Sequence, residues 1–245
     1  MKHLLIILTA LSLIAAGCQK DPIANALVGP NPAYVGDVIT FESRSTNTDY
    51  VEWEMGDGFT YSEPYVEHYY DDPGVYDVKL KAFGTKGGVN VAVIPVEVIG
   101  ATLTIDVRVW TEDWGTPDYN GYYVPGASVR LYPTVADWDA ETNLTGELYT
   151  DSNGRCVFSN LSYKEYYVDI WEASHDNYTL RGEDVFWITT PFMDDDYIWE
   201  ALVDYYPGKK STATGDRSER TRESVSAGQK RALSGKKTAV PREKK

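Results

Sequence analysis

The stretch "WEMGDG", Trp53 to Gly58, decides how the first part of the chain folds. Asp57 lies between two glycines, a pattern that suits either a small reactive carboxylate or a tight turn. Just upstream, Val51, Trp53 and Met55 alternate with polar residues, which is typical of a half-buried strand. Glycine adopts positive φ freely, and an Asp side chain accepts from a backbone N–H two residues on. We therefore predict that Gly56, Asp57 and Gly58 form a structural turn, that Trp53 is a core residue, and that Asp57 neither catalyses nor binds metal.

Segments on both sides of this turn carry further motifs: "GDVITFESRST" at residues 36–46 and "EHYYDDPGVYDVKLKA" at residues 67–82. Together, the three motifs resemble the polycystic-kidney-disease (PKD) domain family. The matching positions are Gly36, Phe41, Ser43, Trp53, Gly56, Asp57, Gly58, His68, Tyr70, Pro73, Gly74, Tyr76, Val78 and Leu80. The resemblance implies an immunoglobulin-like β-sandwich over residues 27–99, with a structural histidine at His68.

The strand at the end of this region shows a change of parity. Val89, Val91 and Val93 share one parity, whereas Val96 and Val98 have the other. A strand cannot change faces without an inserted residue, so we expect a β-bulge at Ile94-Pro95.

Residues 100–206 form a second unit of short strands. The motifs are "ATLTIDVRVW", "PGASVRLYP", the turn Asp151–Gly154, "FSNL", a Tyr-Tyr-Val strand, and a last strand in which Trp199, Ala201, Val203 and Tyr205 alternate with acids. They resemble the carboxypeptidase regulatory-like domain, a transthyretin-like sandwich close to the B repeats of collagen adhesins. Asn-Gly at 153–154 predicts a tight hairpin. Residues 102–110 hold no Lys, so we expect no isopeptide cross-link.

The N-terminus has the layout of a secretory signal, with Lys2 and His3 before an apolar run that is too short to span a membrane. The run ends in Ala15-Ala-Gly-Cys18, which resembles the bacterial lipobox. The resemblance implies a signal peptide over residues 1–17, lipidation of Cys18 and a lipidated linker over residues 18–26. Residues 19–21, Gln-Lys-Asp, look like the export signal of Bacteroidetes surface lipoproteins. We expect an outer-membrane, surface-exposed protein; the alternative is a periplasm-facing one.

Charge separates the chain into an acidic body and a basic tail. Residues 19–207 hold 33 acids and 10 bases, whereas residues 208–245 hold 12 bases and 4 acids. An acidic body argues against a nucleic-acid partner. Residues 207–245 contain no aromatic residue, which predicts a disordered basic tail. The fold class is therefore all-β: two tandem immunoglobulin-like β-sandwiches after a lipoprotein signal peptide, with a disordered tail. With Cys18 lipidated, Cys156 is expected to be a buried, unpaired thiol.

Aromatic residues concentrate in "WTEDWGTPDYNGYY", residues 110–123. We identify a candidate binding loop whose rings are Trp110, Trp114, Tyr119, Tyr122 and Tyr123. Aromatic faces stack on sugars while acids and amides bind the hydroxyls, and the same residue types suit protein contacts. The third alternative is that the loop packs on its own sandwich and buries the rings.

No motif for catalysis or cofactor binding appears. His68 and His175 lie outside any recognisable triad pattern, so we expect no enzyme and no cofactor. Asp194, Asp195 and Asp196 form an acidic turn that is a weak candidate for Ca²⁺. The sequence thus predicts a non-catalytic lipoprotein for adhesion or scaffolding at the cell surface, held to the membrane by its lipid. The alternatives are a glycan-binding accessory lipoprotein of polysaccharide uptake and a structural part of an envelope secretion machine.

Overall fold

The computed structural model describes residues 20–111, 116–117, 119–177, 188–193, 196–205 and 239–241. The predicted signal peptide, Cys18, Trp114, Asp194, Asp195 and the tail outside 239–241 lie beyond the described residues. Among the residues described, no helix has the length and apolar character needed to span a membrane. The elements are β1 (Ala26–Gly29), β2 (Ala33–Tyr34), β3 (Ile39–Ser43), β4 (Tyr50–Glu54), β5 (Thr60–Tyr61), β6 (Tyr65–His68), β7 (Gly74–Phe83), β8 (Val89–Ile99), β9 (Ala101–Val109), β10 (Ser128–Tyr132), α1 (Val135–Ala140), β11 (Gly146–Tyr149), β12 (Arg155–Leu161), β13 (Tyr167–Glu172), β14 (His175–Asp176), β15 (Tyr197–Tyr205) and β16 (Ala239–Pro241).

These strands form three sheets, and the expected all-β, sandwich-type fold class is confirmed. The orders are β1-β3-β6, then β2-β8-β7-β4-β5, then β11-β10-β13-β14-β15-β9-β12 with β16 beside β15. Most neighbours are antiparallel, but β9 and β15 run parallel, as do β2 and β8. Within the described residues, the exception to the all-β class is helix α1, which Thr134 caps by accepting from the Asp137 N–H.

The chain divides into two compact units: Met1–Val28 with Thr40–Val66 and Asp77–Ile94, and Gly29–Ile39 with Glu67–Tyr76 and Pro95–Lys245. These units do not follow the ranges 27–99 and 100–206, which stay a prediction. The first unit buries Phe41 edge-on against Trp53, with ring centroids 5.7 Å apart. The second unit buries the alternate residues of β9, from Ala101 to Val109.

The turn at residues 56–58 follows directly from the end of β4. Gly56 and Gly58 have φ of +88° and +103°. Asp57 Oδ1 accepts from the Phe59 N–H at 3.1 Å. Trp53, three residues upstream, is fully buried, and its indole N–H donates to the Glu63 carbonyl. The carboxylate is thus engaged in holding the backbone of the turn.

The expectation of a bulge at Ile94-Pro95 is wrong. Strand β8 keeps a single parity: Ala92, Ile94, Val96 and Val98 face inward, and Val89, Val91 and Val93 are exposed. No bulge is needed at Ile94-Pro95, because the three exposed valines do not belong to the core. Tyr205 is half exposed at the end of β15.

The Asp151–Gly154 turn does not form a hairpin. Asp151 Oδ1 accepts from the Asn153 and Arg155 N–H groups, so the local turn chemistry is present. The strands on either side nevertheless pair with different neighbours, β11 with β10 and β12 with β9. The turn therefore carries the chain from one ladder to another.

The tail expected to be disordered contains one described segment. Ala239–Pro241 form β16 and pair antiparallel with Tyr197–Trp199 of β15. For these three residues the expectation of disorder is wrong.

The turn at residues 56–58 gives a stability prediction. Gly58→Ala should lower the free energy of unfolding by about 1–2 kcal/mol, because a Cβ at this positive φ is strained although no atom lies nearby. Gly74→Ala is the matched control, since Gly74 has an ordinary φ and only a 3.9 Å contact. Urea unfolding measures both variants; equal losses would contradict the assignment.

Candidate binding site

The two ends of the aromatic loop are held together beside the last residues of β9. The Val109 N–H donates to the Tyr122 carbonyl, and the Val124 N–H donates to the Val107 carbonyl. The Tyr119 hydroxyl donates to the Val109 carbonyl at 2.6 Å. A Cβ at Gly121 would overlap both groups of that last bond, so only glycine permits this close return of the chain.

Arg108 lies at the centre of this arrangement. Its guanidinium carbon is 4.1 Å from the ring centroid of Tyr119 and 4.8 Å from that of Tyr123. Its Nη2 donates to the Gly121 carbonyl at 2.7 Å, and its Nη1 donates to Glu200 at 2.7 Å. Burial acts to lower the pKa of Arg108, but the hydrogen bond to Glu200, the charge of Glu200 and the two tyrosines together outweigh it, and the pKa lies above its ordinary value. A permanent cation therefore holds two rings of the loop.

Tyr122 belongs to a second cluster around a buried histidine. Its hydroxyl lies 2.9 Å from Nε2 of His175, and Nδ1 of the same ring lies 2.6 Å from Oε2 of Glu172. His175 is 8% exposed, whereas Tyr122 and Tyr205, whose rings flank it, are 51% and 50% exposed. In the tautomer in which Nδ1–H donates to Glu172, Nε2 accepts from the tyrosine hydroxyl.

Glu172, His175 and Tyr122 follow the carboxylate–imidazole–hydroxyl order of a catalytic triad, in which the histidine activates the hydroxyl as a nucleophile. Burial raises the pKa of Tyr122, and the nearby Tyr205 and Glu172 raise it further. The phenol therefore stays protonated at neutral pH and acts as a hydrogen-bonding group. Chemically, the cluster can orient an aromatic surface and present hydroxyl and carboxylate groups to a ligand.

The structure thus distributes the candidate residues over different environments. Trp110 is partly buried, Tyr119 and Tyr123 flank Arg108, and Tyr122 contacts His175. Sequence reasoning did not include Arg108, Glu172, His175 or Tyr205 in the site. The sequence signal for this cluster was the spacing of Glu172 and His175, which lie three residues apart where β13 connects to β14.

Two other candidates are less informative. Asp196 is described, but no group of three or more potential metal ligands occurs within the described residues. Cys156 is buried, and burial raises the pKa of its thiol to about 12, which makes it unreactive.

Comparison with known proteins finds a family match for part of the chain. The PKD domain model matches residues 19–98, about a third of the chain. The chain is similar to the PKD1 domain of Vibrio anguillarum Epp, with 23% identity over 33% of this chain and 95% of that one, at a TM-score of 0.29. The resemblance of the first region to PKD domains is confirmed; that of residues 100–206 to carboxypeptidase regulatory-like domains stays a prediction.

Two further structures align over more of the chain. One is described as a carbohydrate-binding module of the β-sandwich superfamily, with 15% identity over 58% of this chain and 86% of that one, at a TM-score of 0.31. The other is BcpA, the major pilin subunit of Bacillus cereus, with 13% identity over 76% of this chain and 71% of that one, at a TM-score of 0.27. Similarity at this level carries no argument about what the chain binds. No curated protein matches the chain.

Arg108 provides a test of how the loop is held. Arg108→Lys should lower the free energy of unfolding by about 1–2 kcal/mol and speed hydrogen exchange in residues 119–123. The reason is that a lysine ammonium cannot reproduce the several directed hydrogen bonds of a guanidinium or its planar stacking on the tyrosine rings. Arg130→Lys is the matched control, since Arg130 is similarly buried and pairs with Glu147 away from the loop. Unchanged exchange in Arg108→Lys would exclude this role.

Glu172 gives a pH prediction. Burial acts to raise the pKa of Glu172, but hydrogen bonds from His175 and Ser174 outweigh it and lower the pKa below its ordinary value. Its stabilisation is therefore complete above the ordinary glutamate range and is lost as the pH falls through the lowered value.

The comparison to make is between the native chain and Glu172→Gln. We expect the native chain to be more stable at neutral pH and the difference to shrink in acid, as followed by urea unfolding at a series of pH values. Glu165→Gln, on the segment before β13, controls for the loss of one negative charge. A difference that is independent of pH would contradict the assignment.

Proposed function

We propose that this chain is a non-catalytic, lipid-anchored protein that acts in adhesion or protein–protein scaffolding at the surface of a bacterial cell. The lipobox-like segment ending at Cys18 supports the anchor, and the charged residues that follow it support export to the surface. The PKD match over residues 19–98 supports an accessory module without catalysis. Cys18 to Leu27 spans at most about 30 Å, so the anchor would hold the body close to the membrane.

The observation that carries the proposal is the way the candidate loop is held. Arg108 fixes Tyr119 and Tyr123 through their faces, and His175 fixes the hydroxyl of Tyr122. Rigid tyrosines next to an arginine suit a protein partner, because they bury a large area at a small cost in side-chain entropy. Rings already engaged within the protein are less suited to sandwich a sugar.

Glycan binding is the second candidate, and one observation favours it. Tyr122 and Tyr205 remain half exposed on either side of His175, with Glu172 beside them. An aromatic face together with a carboxylate is the combination that sugar recognition uses. On this candidate the chain would serve a polysaccharide-uptake system as an accessory lipoprotein.

The first experiment is surface proteolysis of intact cells, followed with an antibody and compared with a periplasmic control protein. We expect the chain to be cleaved while the control survives, because the proposed anchor holds it on the outer face. Protection until the outer membrane is broken would exclude the surface functions and favour a structural part of an envelope machine.

The second step separates the two surface functions. Whole cells and glycan arrays are probed with the native chain, with Tyr122→Ala and with Tyr149→Ala, a matched control on β11 that is also highly exposed. Loss of cell adhesion in Tyr122→Ala alone, without glycan binding by the native chain, supports scaffolding or adhesion. Array binding that Tyr122→Ala abolishes overturns it in favour of glycan recognition.

A further inference from the structure

Strand β8 has one edge that is only partly covered. The Pro95 carbonyl accepts from the Asn31 side-chain amide, and the Glu97 N–H donates to the carbonyl of the same side chain. Further along, the Ile99 carbonyl accepts from the Val35 N–H. The backbone groups of odd-numbered residues in β8 therefore point to the β2 side, because successive residues of a strand point to alternate edges.

On this side, the backbone groups in the second half of β8 are covered, whereas those in the first half are not. Strand β2 pairs only with Val98 and Ile99, and the Asn31 side chain extends the cover to Pro95. Within the described part of the chain, no strand pairs with Val91 or Val93 on this side. The Asn90 side chain accepts from the Ala24 N–H and marks the other limit of the gap. Val91 and Val93 thus present their N–H and C=O groups outward.

The side chains of this edge are apolar and exposed. Val89, Val91 and Val93 are 51%, 48% and 56% exposed and lie on one face of the sheet. Residues 87–96 carry no charge, in a chain whose net charge is −14. Exposed strand edges are usually protected by charged residues, by proline or by a covering segment. Along residues 87–96, all of which the structure describes, Pro95 is the one residue of this kind, and it lies beyond the valines.

We propose that this edge of β8 pairs antiparallel with the same edge of a second copy, with Ala92 on the twofold axis. Val91 then lies opposite Val93 of the partner subunit, and the two residues exchange both backbone hydrogen bonds. A twofold axis normal to the sheet keeps the valines of both copies on one face, where they form a continuous apolar row. Pro95 has no N–H to donate, which limits the length of the ladder and fixes its register.

A second copy fits this edge because of charge and sequence symmetry. Two bodies of the same strong negative charge repel, so they can approach only where charge is absent or paired. The edge itself is uncharged, and on the neighbouring strands Lys79 and Lys81 are both paired with Glu54. The Val91-Ala92-Val93 segment reads the same in both directions, so antiparallel pairing about Ala92 sets each valine opposite a valine of the second copy.

The test is sedimentation of the full chain over a range of concentrations. The native chain should pass from monomer to dimer with a dissociation constant between about 10 and 500 µM, as suits a short edge contact. Val91→Lys should weaken dimerisation at least about tenfold by placing a charge in the valine row. Val157→Lys is the matched control, since Val157 has the same 48% exposure on another strand at the edge of its sheet.

A second variant separates backbone pairing from simple apolar contact. Val93→Pro keeps an apolar side chain but removes an N–H that points outward, so it should abolish the dimer while leaving the fold intact. Mixing Val91→Cys with Val93→Cys chains should give a disulfide-linked dimer faster than either variant alone, because these positions face each other at about 5.5 Å between Cα atoms.

The outcomes are distinct. A concentration-dependent dimer that Val91→Lys and Val93→Pro both disrupt, with mixed cysteine cross-links, supports the pairing. A monomer at all concentrations, or a dimer indifferent to these changes, overturns it. So does a dimer lost in Val157→Lys.

Discussion

The loop that carries the candidate site depends on one partly buried cation. Arg108 stacks between Tyr119 and Tyr123, binds the Gly121 carbonyl and pairs with Glu200. Removing a guanidinium from water is costly unless its hydrogen bonds are replaced, and here carbonyl, carboxylate and ring faces replace them. Because Arg108 and Glu200 lie on the parallel strands β9 and β15, the pairing of these two strands sets the geometry of the loop.

Much of the fold could be predicted because it depends on local chemistry. The turn around Asp57 needs glycines at positive φ and a short carboxylate, and residue types alone report both requirements. The alternation in β9 reports burial directly, because one face of the strand meets a core. Motifs of this kind also carried the resemblance to PKD domains over the first region of the chain.

The failures have a common physical cause, which is that pairing partners are not local. Val89, Val91 and Val93 recur at every second position, which indicated a strand face in the core, yet these valines are exposed to solvent. The Asn-Gly turn at residues 153–154 has hairpin chemistry but joins strands of different ladders. Likewise, His175 meets Tyr122 only because β14 and the end of the loop converge, and their separation of 53 residues in sequence hides that contact.

The proposed pairing of β8 and the proposed lipid anchor constrain each other. Pro22 packs against the Gly84–Gly88 turn at the start of β8, so antiparallel pairing places the two Pro22 residues at opposite ends of the paired strands, about 26 Å apart. Cys18 and Pro22 are four steps apart along the chain, which reach at most about 14 Å. Two copies anchored in one membrane can therefore pair only with their β8 strands lying along its surface. Upright strands would instead pair chains anchored in two facing membranes, which is a geometry for adhesion between cells.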